Sequence, residues 1–143
     1  MGTPATFDLE PKPLRWWQEV LAEVDPQTGI LLLVAVDQGR VLAYAKSGEF
    51  RERAAYASTR EVSVYVAEDC RGQGVAGAIY AELLTRLDGI GLRLAVGGVT
   101  QPNPASNALH LALGFAEVGT FHGVGVKDGR AWDVRWYERR LRP

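Results

Sequence analysis

A strand, a glycine-rich loop and a helix follow one another directly in the middle of the chain, and this succession constrains the fold more than any other feature. Residues 61–67 alternate apolar and polar side chains, which is the period of a half-buried strand. Two glycines, Gly72 and Gly74, precede an apolar stripe of helical spacing over residues 75–87. Because the first amides of a helix lack internal partners and its dipole favours negative charge, this order predicts a cradle for an anion.

Two nucleotide-binding motifs also contain glycines at this spacing, and the neighbouring residues show whether either motif is present. Residues 72–77 fit the dinucleotide pattern G-x-G-x-x-G, but that pattern needs an acidic residue about 20 positions further on. Residues 92–104 contain no Asp or Glu, so the dinucleotide interpretation fails. No Lys-Ser or Lys-Thr follows the glycines, which excludes a nucleoside-triphosphate P-loop. A plain tight turn remains the alternative, and Arg71 favours the anion cradle because it adds a cation to the loop.

The remaining pattern predicts a mixed α/β (α+β) sheet with helices on its faces. Asn103 and Pro104 favour the start of a short helix, because Asn caps helices and Pro suits a first turn. Residues 1–13 contain Gly2, Pro4, Pro11 and Pro13 and predict an extended arm. Helices are expected at 14–24, 75–87 and after 103, and strands at 30–36, 41–46, 61–67, 92–99, 115–126 and 131–141.

Size and composition predict a single globular domain spanning residues 1–143, without a metal. The formal net charge of −1 argues against a nucleic-acid partner, and the longest apolar run, residues 30–36, is too short to span a membrane. Cys70 is the only cysteine, which excludes a disulfide framework, and His110 and His122 are too isolated to suggest a zinc site. Together with the absence of a signal-peptide pattern, these observations predict a cytoplasmic protein.

A polar stripe lies on the short helix after residue 103. Asn103, Ser106 and His110 are spaced i, i+3, i+7 and therefore share one helical face. Such a stripe lines a cleft or, in the alternative, forms a solvated face with an exposed histidine.

Glu61 begins the strand that leads into the glycine loop. A carboxylate there would act as a general base if burial raised its pKa. The alternative is an ordinary glutamate in water at the end of a strand.

These features, in this order, resemble the GNAT superfamily of acyl-CoA-dependent N-acetyltransferases. Residues 71–76 (RGQGVA) match the superfamily pattern [QR]-x-x-G-x-[GA], and residues 103–115 resemble N-x-x-[AS]-x-x-[LM]-[YH]-x-x-x-G-[FY]. Histidine at 110, where many members carry tyrosine, is similar to the phosphinothricin (methionine sulfoximine) acetyltransferase branch. Residues 123–134 (GVGVKDGRAWDV) and residues 50–53 (FRER) with Tyr56 resemble the same branch. The resemblance implies a mostly antiparallel twisted sheet with helices on both faces.

The resemblance also implies the chemistry: acetyl transfer from acetyl-CoA to the amine of a small amino acid or analogue. Glu61 would be the base, and His110 would be either the proton donor to the departing thiolate or a second base. Arg51 and Arg53 would bind an acceptor carboxylate, since a guanidinium binds it bidentately, and Tyr56 would form a wall of the acceptor site. The residues implied to contact acetyl-CoA are Val64, Tyr65, Val66, Arg71, Gly72, Gln73, Gly74, Val75, Ala76, Asn103 and Ser106.

Two further expectations come with the resemblance. Members of the superfamily usually carry a strand and a helix ahead of the segment that residues 5–11 resemble, so a shortened member with an altered acceptor wall is expected. Dimers are common in the branch, so a homodimer is implied. The alternatives for function are an acyl-CoA-binding domain without catalysis, or an acetyltransferase for a polyamine, an aminoglycoside or a peptide N-terminus.

Overall fold

The computed structural model describes residues 12–143, so the arm expected over residues 1–13 lies almost entirely outside the described residues. Within that range the order of helices and strands is the predicted one. The elements are α1 (Leu14–Glu23), β1 (Leu32–Asp37), β2 (Arg40–Glu49), β3 (Thr59–Val66), α2 (Val75–Leu87), β4 (Leu94–Thr100), α3 (Pro104–Ala112), β5 (Ala116–Lys127) and β6 (Arg130–Arg140).

The strands form a mixed sheet in the order β1-β2-β3-β4-β6-β5. Its neighbours are antiparallel except for β3 and β4, which run parallel. A parallel pair needs a crossover, and α2 supplies it. The predicted mostly antiparallel α/β fold is therefore confirmed.

Helices cover both faces of the sheet, as predicted. The apolar side of α2, including Leu83 and Leu87, packs in the core with Ala45 and Val62. On the opposite face, the rings of Trp16 and Trp17 in α1 lie 5.7 and 5.1 Å from the ring of Tyr44 on β2. Successive residues of β3 therefore point alternately to the face covered by α2 and to the face covered by α1.

The parallel pairing of β3 with β4 is short. It runs from Thr59 opposite Leu94 to Glu61 opposite Val96, although β3 continues to Val66. On its other edge β3 stays paired with β2 along its length. Beyond Glu61 the ladder between the two parallel strands therefore ends, and the strands part.

Strand β2 extends three residues beyond the predicted end at residue 46. The ladder with β3 holds this polar stretch, because Ser47, Gly48 and Glu49 pair with residues of β3. The Ser47 hydroxyl also donates to the carbonyl of Gly29 at 2.7 Å and accepts from the amide of Leu31 at 3.0 Å. These hydrogen bonds outweigh the polar composition and place Gly48 directly opposite Glu61.

The helices found between residues 12 and 143 are all too short or too polar to cross a lipid bilayer.

Candidate active site

A cleft of about 350 Å³ opens where β3 and β4 part. The glycine loop and the first residues of α2 close one side, and α3 closes another. Of the residues predicted to contact acetyl-CoA, Gln73 is not among those that line the cleft. The residues that do are Val64, Tyr65, Val66, Arg71, Gly72, Gly74, Val75, Ala76, Asn103 and Ser106.

The glycine loop has the backbone geometry of an anion cradle. Gly72 and Gly74 both have φ of +78°, a left-handed conformation that favours glycine. Gly74 precedes the first residue of α2, and no side chain caps that helix end. The first amides of α2 are thus available to a ligand, and a Cβ added at either glycine would meet no atom of the described residues within 4 Å.

The start of α3 follows the predicted capping. Asn103 is the N-cap, and its Oδ1 accepts a hydrogen bond from the amide of Ser106 at 3.1 Å. Asn107 and Gln101 exchange two side-chain hydrogen bonds of 3.0 and 2.8 Å, which tie the helix start to the end of β4. Since the cap uses Oδ1, the Nδ2 amide group is the donor that Asn103 can offer to a ligand in the cleft.

His110 is buried in the wall of the cleft, with 4% of its surface exposed, so the alternative of a solvated helix face is wrong. Its Nδ1 lies 2.8 Å from the carbonyl oxygen of Ser106, which can only accept, so Nδ1 carries the proton. Burial lowers the pKa of His110, while the hydrogen bond to Ser106 opposes this shift. The ring is therefore neutral near pH 7, and its Nε2 presents a lone pair.

Tyr80 supplies the partner of that lone pair. Its hydroxyl lies 3.0 Å from Nε2 of His110 and donates to it. The ring is fully buried, and burial raises the pKa of Tyr80, so the phenol keeps its proton. Gly97 on β4 makes room for the pair, because a Cβ there would lie 3.2 Å from both polar atoms. Sequence reasoning assigned Tyr80 only to the apolar stripe of α2, and no signal distinguished it from a core residue.

Glu61 lies at the point where β3 and β4 part, on the face opposite Val62 and α2. Its carboxyl reaches solvent, yet the surrounding protein withdraws enough water to raise its pKa. The positive charges of Arg51 and Lys46 act in the opposite direction. The candidate base thus has two cations nearby, of which sequence reasoning found only Arg51.

The predicted acceptor residues are only partly brought together. The Arg51 guanidinium lies 4.1 Å from the centre of the Phe50 ring, and its Nη1 donates to the carbonyl of Phe50 at 2.8 Å. The Phe50 ring in turn lies 6.1 Å from the ring of Tyr56. Arg53 is exposed and precedes a short 3₁₀-helix, Ala54–Tyr56, and the structure does not place its side chain against Glu61.

Trp136 on β6 is a second aromatic residue that sequence reasoning missed. Its ring lies 6.4 Å from that of Phe50 and covers Gly98, where an added Cβ would lie 3.1 Å from the ring. Gly98 itself lines the cleft. Trp136 therefore packs against Gly98 on the face of the sheet that carries Glu61.

Residues 12–143 contain no group of three or more His, Cys, Asp or Glu side chains arranged to hold a metal ion.

Comparison with known proteins agrees with this geometry. The Acetyltransferase (GNAT) family matches residues 3–115. The chain is 43% identical to the phosphinothricin N-acetyltransferase of Streptomyces coelicolor, covering 97% of this chain and 82% of that protein. It is 38% identical to the L-methionine sulfoximine/L-methionine sulfone acetyltransferase of Pseudomonas aeruginosa, covering 80% and 67%. A crystal structure of a phosphinothricin acetyltransferase from Sinorhizobium meliloti in complex with AcCoA superposes with a TM-score of 0.86 at 31% identity, covering 99% of this chain and 77% of that one. The chain belongs to the GNAT family of acetyltransferases.

Proposed function

We propose that this chain transfers the acetyl group of acetyl-CoA to the amine of a small amino acid or analogue of the phosphinothricin and methionine sulfoximine type. One observation carries the proposal: the cleft between the parting strands β3 and β4 has an uncapped glycine loop on one side and the neutral His110–Tyr80 pair in its wall. Glu61, whose pKa is raised, stands where the strands part. The names of the relatives support the same acceptor class.

Acetyl-CoA would supply a thioester carbonyl at which the amine attacks. In this assignment the amides of residues 71–76 bind its pyrophosphate, with Arg71 adding a positive charge. The edge of β3 over residues 64–66 binds the pantetheine amides, since these residues line the cleft beyond the end of the ladder with β4. A backbone amide of this edge also stabilises the negative charge that develops on the carbonyl oxygen. Asn103 and Ser106 contact the pantetheine arm from α3.

Glu61 takes a proton from the acceptor, because an alkylammonium cannot attack while it is protonated. We assign His110 the role of second base rather than acid. In the neutral ring that burial favours, Nε2 carries a lone pair, so His110 can accept a proton there but has none to donate. As the C–N bond forms and the C–S bond breaks, the proton that the attacking nitrogen loses passes through the Tyr80 hydroxyl to His110 and then to the departing thiolate, which leaves as the thiol.

Arg51 binds the carboxylate of the acceptor, Arg53 is the second candidate for this contact, and Tyr56 forms a wall. Two cations beside Glu61 disfavour a polyamine or an aminoglycoside, since both are cationic. A peptide N-terminus is less affected by this charge argument and remains the alternative acceptor.

We also propose that the chain is a cytoplasmic, single-domain homodimer. Strand β5 lies at an edge of the sheet and exposes large apolar side chains, including Val118 and Phe121 at 59% and 60%. An exposed apolar edge strand is a common interface between protein chains. Light scattering after size-exclusion chromatography measures this directly: twice the mass of the chain is expected, and the mass of one chain would contradict the dimer.

The function is tested by incubating the chain with acetyl-CoA and phosphinothricin, methionine sulfone, spermidine or a short peptide, followed by mass spectrometry. An acetylated amino acid analogue is the expected product. An acetylated spermidine or peptide alone would reassign the acceptor. No product, together with a melting temperature that rises with acetyl-CoA, would identify a binding domain without catalysis.

A further inference from the structure

The sheet face beside Glu61 has an opening that the acceptor residues named above do not fill. Gly48 pairs directly with Glu61 across the β2–β3 ladder, and directly opposed residues face the same side of a sheet. A Cβ added at Gly48 would meet no atom of residues 12–143 within 4 Å. Within the described part of the chain, the surface next to the candidate base is therefore open at this position.

Lys46 borders the opening. It pairs with Ser63, the next ladder pair on the same face of the sheet, and its charge lowers the pKa of the Glu61 carboxyl. Its side chain is half-buried and lines a cavity of about 550 Å³ between α1 and β2, to which Gly48 also contributes. No carboxylate among residues 12–143 lies within ion-pair distance of its ammonium. A half-buried lysine without such a partner can form an ion pair with a ligand.

Two carboxylates, Glu49 and Glu23, also line this cavity. Glu49 follows Gly48 in β2 and pairs with Arg60, so it lies on the other face of the sheet. Burial lowers the pKa of the Arg60 guanidinium, and the charge of Glu49 raises it. Glu23 is exposed at the last residue of α1. The positive charges that lower the pKa of Glu61 are those of Arg51 and Lys46.

We propose that an amino acid acceptor lies over Gly48 beside Glu61, and that Lys46 binds an acidic group on its side chain while Arg51 binds its α-carboxylate. This inference rests on the proposed function and narrows it to a substrate class: amino acids whose side chain ends in a second anion. Lys46 is thus a specificity-determining residue.

Phosphinothricin and methionine sulfone are matched probes, because both side chains end in a tetrahedral centre with a methyl group and two oxygens. The phosphinate of the first is anionic, and the sulfone of the second is neutral. We expect Lys46→Met to lower kcat/KM for phosphinothricin by about tenfold more than for methionine sulfone, because a charge-assisted hydrogen bond is lost only with the anion. Lys46→Arg, which keeps the charge, should retain most of the preference.

Gly48→Val is the second variant. Gly48 does not have a positive φ, and valine is well tolerated in strands, so the change fills the opening without backbone strain. We expect KM to rise about tenfold or more for both acceptors, while the Kd of acetyl-CoA measured by calorimetry changes less than about twofold.

The outcomes separate the inference from the function on which it rests. Equal losses with both probes in Lys46→Met, or an unchanged KM in Gly48→Val, overturn the inference and leave the acetyltransferase function standing. A wild-type chain that binds acetyl-CoA but acetylates neither probe overturns both.

Discussion

Tyr80→Phe tests the hydrogen bond that fixes His110 in the cleft wall. The substitution keeps the buried ring and removes only the hydroxyl that donates to Nε2 of His110 at 3.0 Å. Nε2 would then be a buried acceptor without a partner, at a cost of about 1–3 kcal/mol. For a chain of this length, each kcal/mol lowers the melting temperature by about 2–4 °C. Equilibrium unfolding in urea at pH 8, where the histidine is neutral in both states, measures the loss directly.

The matched control is Tyr56→Phe, because Tyr56 is 42% exposed and its hydroxyl can bond to water. Its free energy of unfolding should stay within about 0.5 kcal/mol of wild type. If Tyr80→Phe also stays within that range, the hydroxyl does not satisfy Nε2 of His110, and the assigned hydrogen bond between the two side chains loses its support.

Three further predictions concern pH, charge and a buried cation. Burial lowers the pKa of His110, so the imidazole takes up its second proton at a higher pH in the unfolded chain than in the folded chain. The free energy of unfolding should therefore fall as the pH drops below about 6.5. Urea unfolding between pH 8 and pH 5 measures this slope, which His110→Asn should reduce; an unchanged slope in the variant would argue against a buried neutral ring. Arg51→Gln should move the acidic limb of the kcat/KM profile to higher pH, because the Arg51 charge lowers the pKa of Glu61, and a limb that does not move would remove Arg51 from the vicinity of the base. Arg60 donates hydrogen bonds to the carbonyls of Thr28, Ala57 and Thr59. Arg60→Met should therefore lower the free energy of unfolding by about 2–4 kcal/mol. A loss below about 1 kcal/mol would show that water replaces these hydrogen bonds.

Local signals in the sequence predicted most of the fold. The alternation over residues 61–67 and the capping at Asn103 and Pro104 each rest on contacts between near neighbours in the chain. The end of β2 was not predictable in this way. Its hydrogen bonds join Ser47 to residues 16 and 18 positions away, and no local pattern encodes such a pairing.

Residues of the candidate site could be picked out from the sequence where a motif contains them, and not where only packing brings them together. Glu61, His110 and the glycine loop belong to motifs, whereas Tyr80 appeared as one apolar residue in a helical stripe. Lys46 appeared as the polar end of a strand. Its relation to Glu61 depends on the register between β2 and β3, which is set by the whole ladder rather than by either strand alone.

The central claim is that the chain is an acetyltransferase with Glu61 as its base, and Glu61→Gln tests it most directly. The amide has the size of the carboxylate but cannot accept the proton, so kcat/KM for phosphinothricin at pH 7 should fall by about 10²–10⁴-fold. The Kd of acetyl-CoA should change less than about twofold, since Glu61 does not line the cleft proposed for the donor. A variant that keeps the wild-type rate would contradict the account.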